Sequence, residues 1–348
     1  MHVMPQNWLG KRRWGATSMS SEIDVDGLSG SYSVIDYRIR PAKHAERAML
    51  VEAAARLRFA GIQSYRYIGF GAIYFTDFKL FHRTLGITDL HNIEGREVDR
   101  ARFNWNRPFT SIKMHFGMSS EVLPKLKWRK RSIVWLDYDG QLNLSKLKDI
   151  DYLIRNLASG SMLLISINAE KPSPPGLSRE AREADLVEAL RLLVGPERVK
   201  SAVSEKDLRG KFAAGVYYQI IRDFIQASLS IRNALIADPD EKLEWEQVVH
   251  AVYRDGARML TLGGVLFRRA ERGLFESGQF DKLSFYRSSD NPYEIEIPLL
   301  TMKEMTSLDR AALSDPAKAK VLPFLKPKER TNYIRMMRYL PSYVSADM

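Results

Sequence analysis

The chain contains no cysteine among its 348 residues, which excludes disulfide scaffolds, thiolate zinc sites and cysteine nucleophiles. Long hydrophobic runs are also missing. The longest, around Ser161–Ile167, is strand-sized and far short of the about 18 apolar residues a membrane span requires, so no membrane partner is expected. Acid is in short supply: 42 Asp and Glu stand against 53 Lys and Arg, a net charge of +11. Such an excess points to a polyanionic partner, nucleic acid or nucleotide, and says nothing of the fold. What is present is ordinary: with 45% hydrophobic and 27% charged residues the composition excludes a disordered chain. At roughly 150 residues per domain the length allows two domains, or one large α/β domain with additions. A cytoplasmic enzyme with an anionic substrate is the starting expectation.

Residues 1–30 carry Lys11, Arg12 and Arg13 before a Gly/Ser-rich stretch without apolar periodicity, and are expected to form a disordered tail. From Pro41 to Ala60 the apolar spacing is helical, with Gly61 in the place of a left-handed C-terminal cap. A strand–helix alternation follows. Strands are predicted at Tyr65–Gly69, Asp89–Glu94, Ser111–Phe116, Ser132–Asp137 and Met162–Asn168, with helical patterns between them. Crossovers of this length predict a parallel sheet covered on both faces. After the breaker Lys171-Pro-Ser-Pro-Pro-Gly176, two helical segments lead to the runs Trp245–Arg254 and Arg258–Arg268, joined by the hairpin signal Asp255-Gly256. The expected organisation is an α/β domain over 31–269, with a helical insertion at about 177–237, and a C-terminal extension over 270–348.

The chemistry-bearing positions lie at strand ends. Gly69-Phe70-Gly71 follows the first strand, where paired glycines let the backbone turn sharply and approach a ligand, or simply make a tight turn. A nicotinamide fingerprint would place a third glycine at position 74. Tyr74 stands there, which argues against a dehydrogenase, and no phosphate-binding P-loop pattern exists. Glu94-Gly95 ends the second strand, where a carboxylate can accept hydrogen bonds from ribose hydroxyls or complement the next helix. Then come Gly117-Met118-Ser119-Ser-Glu121-Val-Leu-Pro124 and Val134-Trp-Leu-Asp137-Tyr-Asp139. Lys125-Leu-Lys-Trp128-Arg-Lys-Arg131 sets five cations around one tryptophan, either a solvated loop or a phosphate-tracking and stacking patch.

This ordered set resembles class I S-adenosylmethionine-dependent methyltransferases, most of all their small-molecule O-methyltransferases, over about residues 61–170 and the 245–268 hairpin. The resemblance implies a Rossmann-like fold: a mostly parallel seven-stranded sheet with a C-terminal antiparallel hairpin and helices on both faces. It implies S-adenosylmethionine as cofactor, with Gly69, Phe70 and Gly71 at its methionine end. Glu94 would hold the ribose, Gly95, Met118 and Ser119 would surround the adenine, and Asp137 would stand beside the sulfonium and the acceptor. Asp137 and Asp139 are the catalytic candidates, taking the acceptor's proton or holding a divalent ion. Cation-dependent members use an Asp-Asn pair after the fifth strand where this chain has Ile167-Asn168. Asp137, Asp139 and Asn168 are then a candidate oxygen set for Mg²⁺. Arg40, Lys43 and Arg47, on the preceding helix, are the candidates for contacting an anionic acceptor. The Asn/Asp-Pro-Pro-Tyr/Phe motif of base N-methyltransferases is absent. The competing expectation is a non-catalytic binding or assembly protein on the same fold, associated with nucleic acid. It is motivated by the long insertion and the extension.

Overall fold

Strands fall where β-branched and aromatic residues concentrate, and helices where apolar residues recur every three or four positions. The computed structural model describes residues 40–314 and 322–340. Helix α1 (Pro41–Ala54) precedes an alternation of β1 (Arg66–Gly69), α2 (Thr76–Leu85), β2 (Asp89–Glu94), α3 (Arg100–Asn106) and β3 (Ile112–Phe116). It continues through α4 (Ser119–Val122), β4 (Ser132–Gln141), α5 (Leu144–Asn156) and β5 (Ser161–Asn168). Helices α6 (Arg179–Ala184), α7 (Leu186–Val194) and α8 (Ala213–Asn233) lead into the hairpin β6 (Leu243–Asp255) and β7 (Ala257–Arg268). The remainder forms α9 (Arg272–Ser277), β8 (Tyr293–Ile295), α10 (Met302–Ser314) and α11 (Pro327–Met336).

Among the described residues, eight strands join one sheet in the order β3-β2-β1-β4-β5-β7-β6-β8. Strands β1 to β5 pair in parallel, while β7 runs antiparallel to both its neighbours. The chain first winds outward from β1 through β2 to β3, then returns to β4 on β1's other side. That reversal opens a crevice at the C-terminal ends of β1 and β4, where ligands bind in sheets of this kind.

Alternation along the strands sorts side chains between two cores, because successive residues point to opposite faces. Tyr67, Trp135 and Leu164 join α1 and α2 on one face. Ile68, Val134, Leu136, Leu163 and Ile165 join α5, α7 and α8 on the other. The segment between β5 and β6 thus supplies one of the two helical layers. The C-terminal part belongs to the first core: Phe285, Tyr293, Ile295, Met336 and Tyr339 are buried together with α1 residues.

Several expectations are corrected. The sheet has eight strands and not seven, because Tyr293–Ile295 adds an edge strand parallel to β6. Helix α1 stops at Ala54, six residues before the predicted end, and Gly61 has φ −58°, so it is no left-handed cap. The reason is packing: Leu57 and Phe59 are both buried, an alternation that a continuing helix could not supply. Strand β4 runs past Asp137 to Gln141, with a register shift against β5 between those residues. The Asp255-Gly256 hairpin forms as expected, with Asp255 opposite Ala257 and Gly256 at φ +90°. The tail expected at residues 1–30 lies outside the described residues.

Strand β7 carries Gly263-Gly264 in mid-strand, where glycine is otherwise unfavourable. A Cβ on Gly264 would lie 2.5 Å from the Trp245 ring and 2.6 Å from the Glu246 carbonyl oxygen, which is backbone and cannot swing away. Gly264→Ala is therefore expected to destabilise the chain by about 1–3 kcal/mol, read as a lower urea midpoint at unchanged slope.

Candidate active site

At the C-terminal edge of the parallel strands lies a cavity of about 450 Å³, within the range of small-molecule sites. Strand ends and the turns after them build its walls. The turn after β1 contributes Phe70 and Gly71, the end of β2 contributes Glu94 and Gly95, and the start of α4 contributes Met118 and Ser119. Asp137 and Asp139 reach it from β4, and Arg47 from α1. Nine residues expected at the site from sequence are thereby brought to one cavity. Gly69, Arg40, Lys43 and Asn168 do not line it.

Each of these four has a structural account. A Cβ on Gly69 would stand 2.7 Å from the Tyr67 hydroxyl, so glycine is needed there to pass the neighbouring side chain. Arg40 donates from Nη2 to the Asp255 carbonyl at 2.8 Å, tying α1 to the hairpin tip. Lys43, only 2% exposed, places its ammonium 2.6 Å from Asp137 Oδ1 and 2.8 Å from Glu46 Oε2. Asn168 Oδ1 accepts the Glu170 amide at 2.9 Å. The oxygen set expected for Mg²⁺ is thus not assembled: Asn168 is outside the cavity and Asp137 already faces a cation. Among the described residues no group of three or more His, Asp or Glu could hold a metal ion. The residues present do not fit a divalent ion.

Gly71 meets the stricter requirement of close approach. Its amide donates to Asn92 Oδ1 at 2.6 Å, and a Cβ would lie 2.7 Å from the Phe78 ring and 2.8 Å from that same oxygen. The β1–α2 turn is therefore held tightly beneath the cavity. Arg47 pairs with Asp77 in the first turn of α2, both being nearly fully buried. Burial opposes the Arg47 charge, but Asp77 and Asp137 outweigh it and its pKa is raised. Lys43 behaves alike: burial alone would discharge it, yet Asp137 and Glu46 raise its pKa. Glu46 in turn accepts from Tyr253 at 2.9 Å and from Thr261. An ionised pair so deep persists because every charge has partners.

Glu94 stands apart from this balance. Burial, the leading cause, pushes its carboxyl up to about 7, against the opposing pull of the Arg96 amide that donates to Oε1 at 2.8 Å. The same cavity is lined by the apolar Ile93, Phe103 and Met118. Asp149, also in the lining, accepts from Ser119 Oγ at 2.5 Å and from the Tyr138 hydroxyl at 2.8 Å, its pKa raised by burial. Lys146, also lining the cavity, is brought down to about 8 by burial.

Sequence reasoning missed Asp77, Asn143, Lys146 and Asp149. One signal was available: Asn143 caps α5 by accepting the Lys146 amide at 3.1 Å, and a helix starting at a strand's C-terminal end presents its first turns to the crevice.

A reversed α/β sheet ending in an antiparallel hairpin, with a glycine turn after its first strand and a carboxylate at the end of its second, has the Rossmann-like methyltransferase fold. The chain belongs within it to the family described as "Putative O-methyltransferase", whose model matches residues 35–348. No curated protein matches the sequence. Among solved structures it is similar to PigF with SAH, at 12% identity over 64% of each chain and a TM-score of 0.32. The O-methyltransferase TomG from Streptomyces achromogenes, in complex with SAM, shows 15% identity over 63% of this chain and 79% of its own, TM-score 0.34. An O-methyltransferase family protein from Burkholderia thailandensis shows 11% over 64% and 56%, TM-score 0.31. The chain thus spans less than two thirds of PigF and of the Burkholderia protein, and no residue's role follows from likenesses this distant. Among the described residues no helix is long and apolar enough to cross a membrane.

Removing the Lys43 ammonium would strand two carboxylates, one of them almost fully buried. Lys43→Met is expected to cost about 3–5 kcal/mol in urea unfolding, and Glu46→Gln in the same chain to recover part of that loss.

Proposed function

We propose that this protein transfers a methyl group from S-adenosylmethionine to an oxygen of an acceptor molecule, with the cofactor lying in the cavity at the C-terminal edge of the sheet. The observation that carries the reading is Glu94, a half-buried carboxylate ending β2 in a cavity lined by both apolar and ionic side chains. Bound S-adenosylmethionine supplies an electrophilic methyl on a sulfonium. The chain's contribution is to align that methyl with an acceptor oxygen for in-line displacement, since positioning dominates such a transfer.

The donor set fits such a cofactor. Glu94 offers two carboxylate oxygens to a ribose diol. Gly95 and Met118 provide an apolar slot for the adenine, with the Ser119 hydroxyl fixed at its rim by Asp149, and Phe70 lies toward the methionine end. Arg47 and Asp77 present opposite charges to an amino-acid terminus, and Gly71 leaves the space that its approach requires. Asp137 places negative charge near the sulfonium while Lys43 holds its orientation. Asp139, at the exposed mouth, takes the acceptor's proton, with Lys146 nearby to stabilise the carboxylate. No step is assigned to a metal ion. A carboxylate that must accept two hydroxyl donors has to be ionised, which sets the pH dependence.

Calorimetry with S-adenosylmethionine tests the assignment. Wild type is expected to bind, and Glu94→Ala to bind at least tenfold more weakly, as loss of a charged hydrogen-bond acceptor implies, about 1.5–3 kcal/mol. With Glu94 at about 7 in the free protein, affinity should fall about tenfold from about pH 8 to about pH 6 as the carboxylate protonates, and stay flat in Glu94→Gln. Absence of binding by the wild type would leave the non-catalytic alternative in its place.

A further inference from the structure

A second and larger concavity, about 790 Å³, lies at the opposite edge of the sheet, where β1, β4, β5 and β6 begin and β7 ends. Its charged lining is Arg129, Lys130, Arg131, Arg232 and Arg268 against the single carboxylate of Glu241. Three of these cations are matched: Lys130 by Asp89 at 2.8 Å, Arg131 by Glu271 at 3.1 Å, and Arg268 by Glu241 at 3.0 Å. Two are not. Arg129 is exposed and has no acidic partner among the described residues. Arg232 spends Nη1 on the Ile154 and Leu157 carbonyls at the end of α5, at 2.7 and 2.9 Å, and has no carboxylate partner among the described residues.

The segment leading into this groove extends the positive charge. From 125 to 129, exposure alternates: Lys125, Lys127 and Arg129 face solvent, while Leu126 is half-buried and Trp128 buried. Trp128 anchors the row from beneath, donating from Nε1 to the Leu123 carbonyl at 3.1 Å, with the Arg66 guanidinium over its ring. None of the three outward cations forms an ion pair with a described residue, so their charge is available to an external anion. The sequence reading of a stacking patch fails here, because the tryptophan ring is inside.

We propose that this row and the basal groove bind the phosphodiester backbone of a nucleic acid strand, on the face of the molecule away from the methyl-transfer cavity. A discrete metabolite would be met by one enclosed cluster of cations. Here uncompensated cations are strung along the chain and run into an open groove, the arrangement that tracks a repeating phosphate. With no aromatic ring displayed, bases are not read, and binding is indifferent to sequence. The contacts are electrostatic, so their signature is a salt slope that falls with each cation removed.

Fluorescence anisotropy of a labelled oligouridylate of about 20 nucleotides, titrated with full-length protein between about 50 and 200 mM KCl, tests this. Wild type is expected to bind at the lower salt and weaken steeply with salt. The triple variant Lys125→Gln/Lys127→Gln/Arg129→Gln should bind about tenfold or more weakly, its slope lower by about 2. Arg129→Gln alone should lower the slope by about 0.7, which keeps the test open if the triple variant does not fold. An unchanged calorimetric titration with S-adenosylmethionine would show the triple variant intact, independently of whether the strand binds. The proposal is overturned by no binding at the lower salt, or by equal affinity and slope in the variants. It is equally overturned if millimolar inorganic phosphate at matched ionic strength displaces the strand, which would make the groove a site for a single small anion.

Discussion

One buried ammonium organises the upper edge of this molecule. Lys43 sits between Glu46 of its own helix and Asp137 of β4, 4.6 Å from the centroid of the Trp135 ring. Through it α1 is fastened across the C-terminal ends of the strands, and with α1 come Arg47 and its partner Asp77. Taking three ionised groups out of water is costly, and the arrangement persists because Tyr253 and Thr261 supply the carboxylate with hydrogen bonds. The orientation of Asp137, the floor of the cavity and the position of the first helix are therefore consequences of the same interaction.

Much of the fold was legible because its determinants are local. Asp89–Glu94 reads as a strand and is one, with the boundaries expected. Gly86 ends α2 in the left-handed conformation, as a glycine after an apolar periodic run should. Local pattern marks Glu294–Leu299 as a strand-like piece, and what it could not supply was its place as an eighth strand. Tyr293–Ile295 joins the sheet because the β6 edge offers it hydrogen bonds and the core buries Tyr293 and Ile295. The end of α1 was misplaced for a similar reason, since Leu57 and Phe59 unwind the chain to reach two separate positions in the core.

The site divides along the same line. Glu94, Gly71, Met118 and Asp137 are strand-end positions, and a parallel sheet carries such positions to one edge whatever else the chain does. Asp149 and Lys146 depend on how α5 is turned relative to β3 and β4, which is settled by packing across the whole layer. Gly69 shows a different case: a glycine at a suggestive spacing that does not line the cavity, and whose missing Cβ makes room for the neighbouring Tyr67. Lys43 is expected from sequence to contact an anionic acceptor, but it does not line the cavity. Its charge is spent inside the protein, and only the packing of α1 on the sheet could reveal that.

The closing contacts of the first helix come from far along the chain. Glu52 of α1 accepts from Tyr339 at 2.6 Å and from Arg338 at 2.5 Å, partners 287 and 286 residues away. Met336 and Tyr339 are buried in the same core as Met49 and Ala53. During synthesis on the ribosome, α1 therefore waits for most of the chain to emerge before its packing is complete, and contacts of such sequence separation form slowly. The helix that carries Lys43 and Arg47 is thus completed by contacts made late in synthesis, and a nascent chain lacking α11 has the strands of the sheet before the packing of α1 is complete.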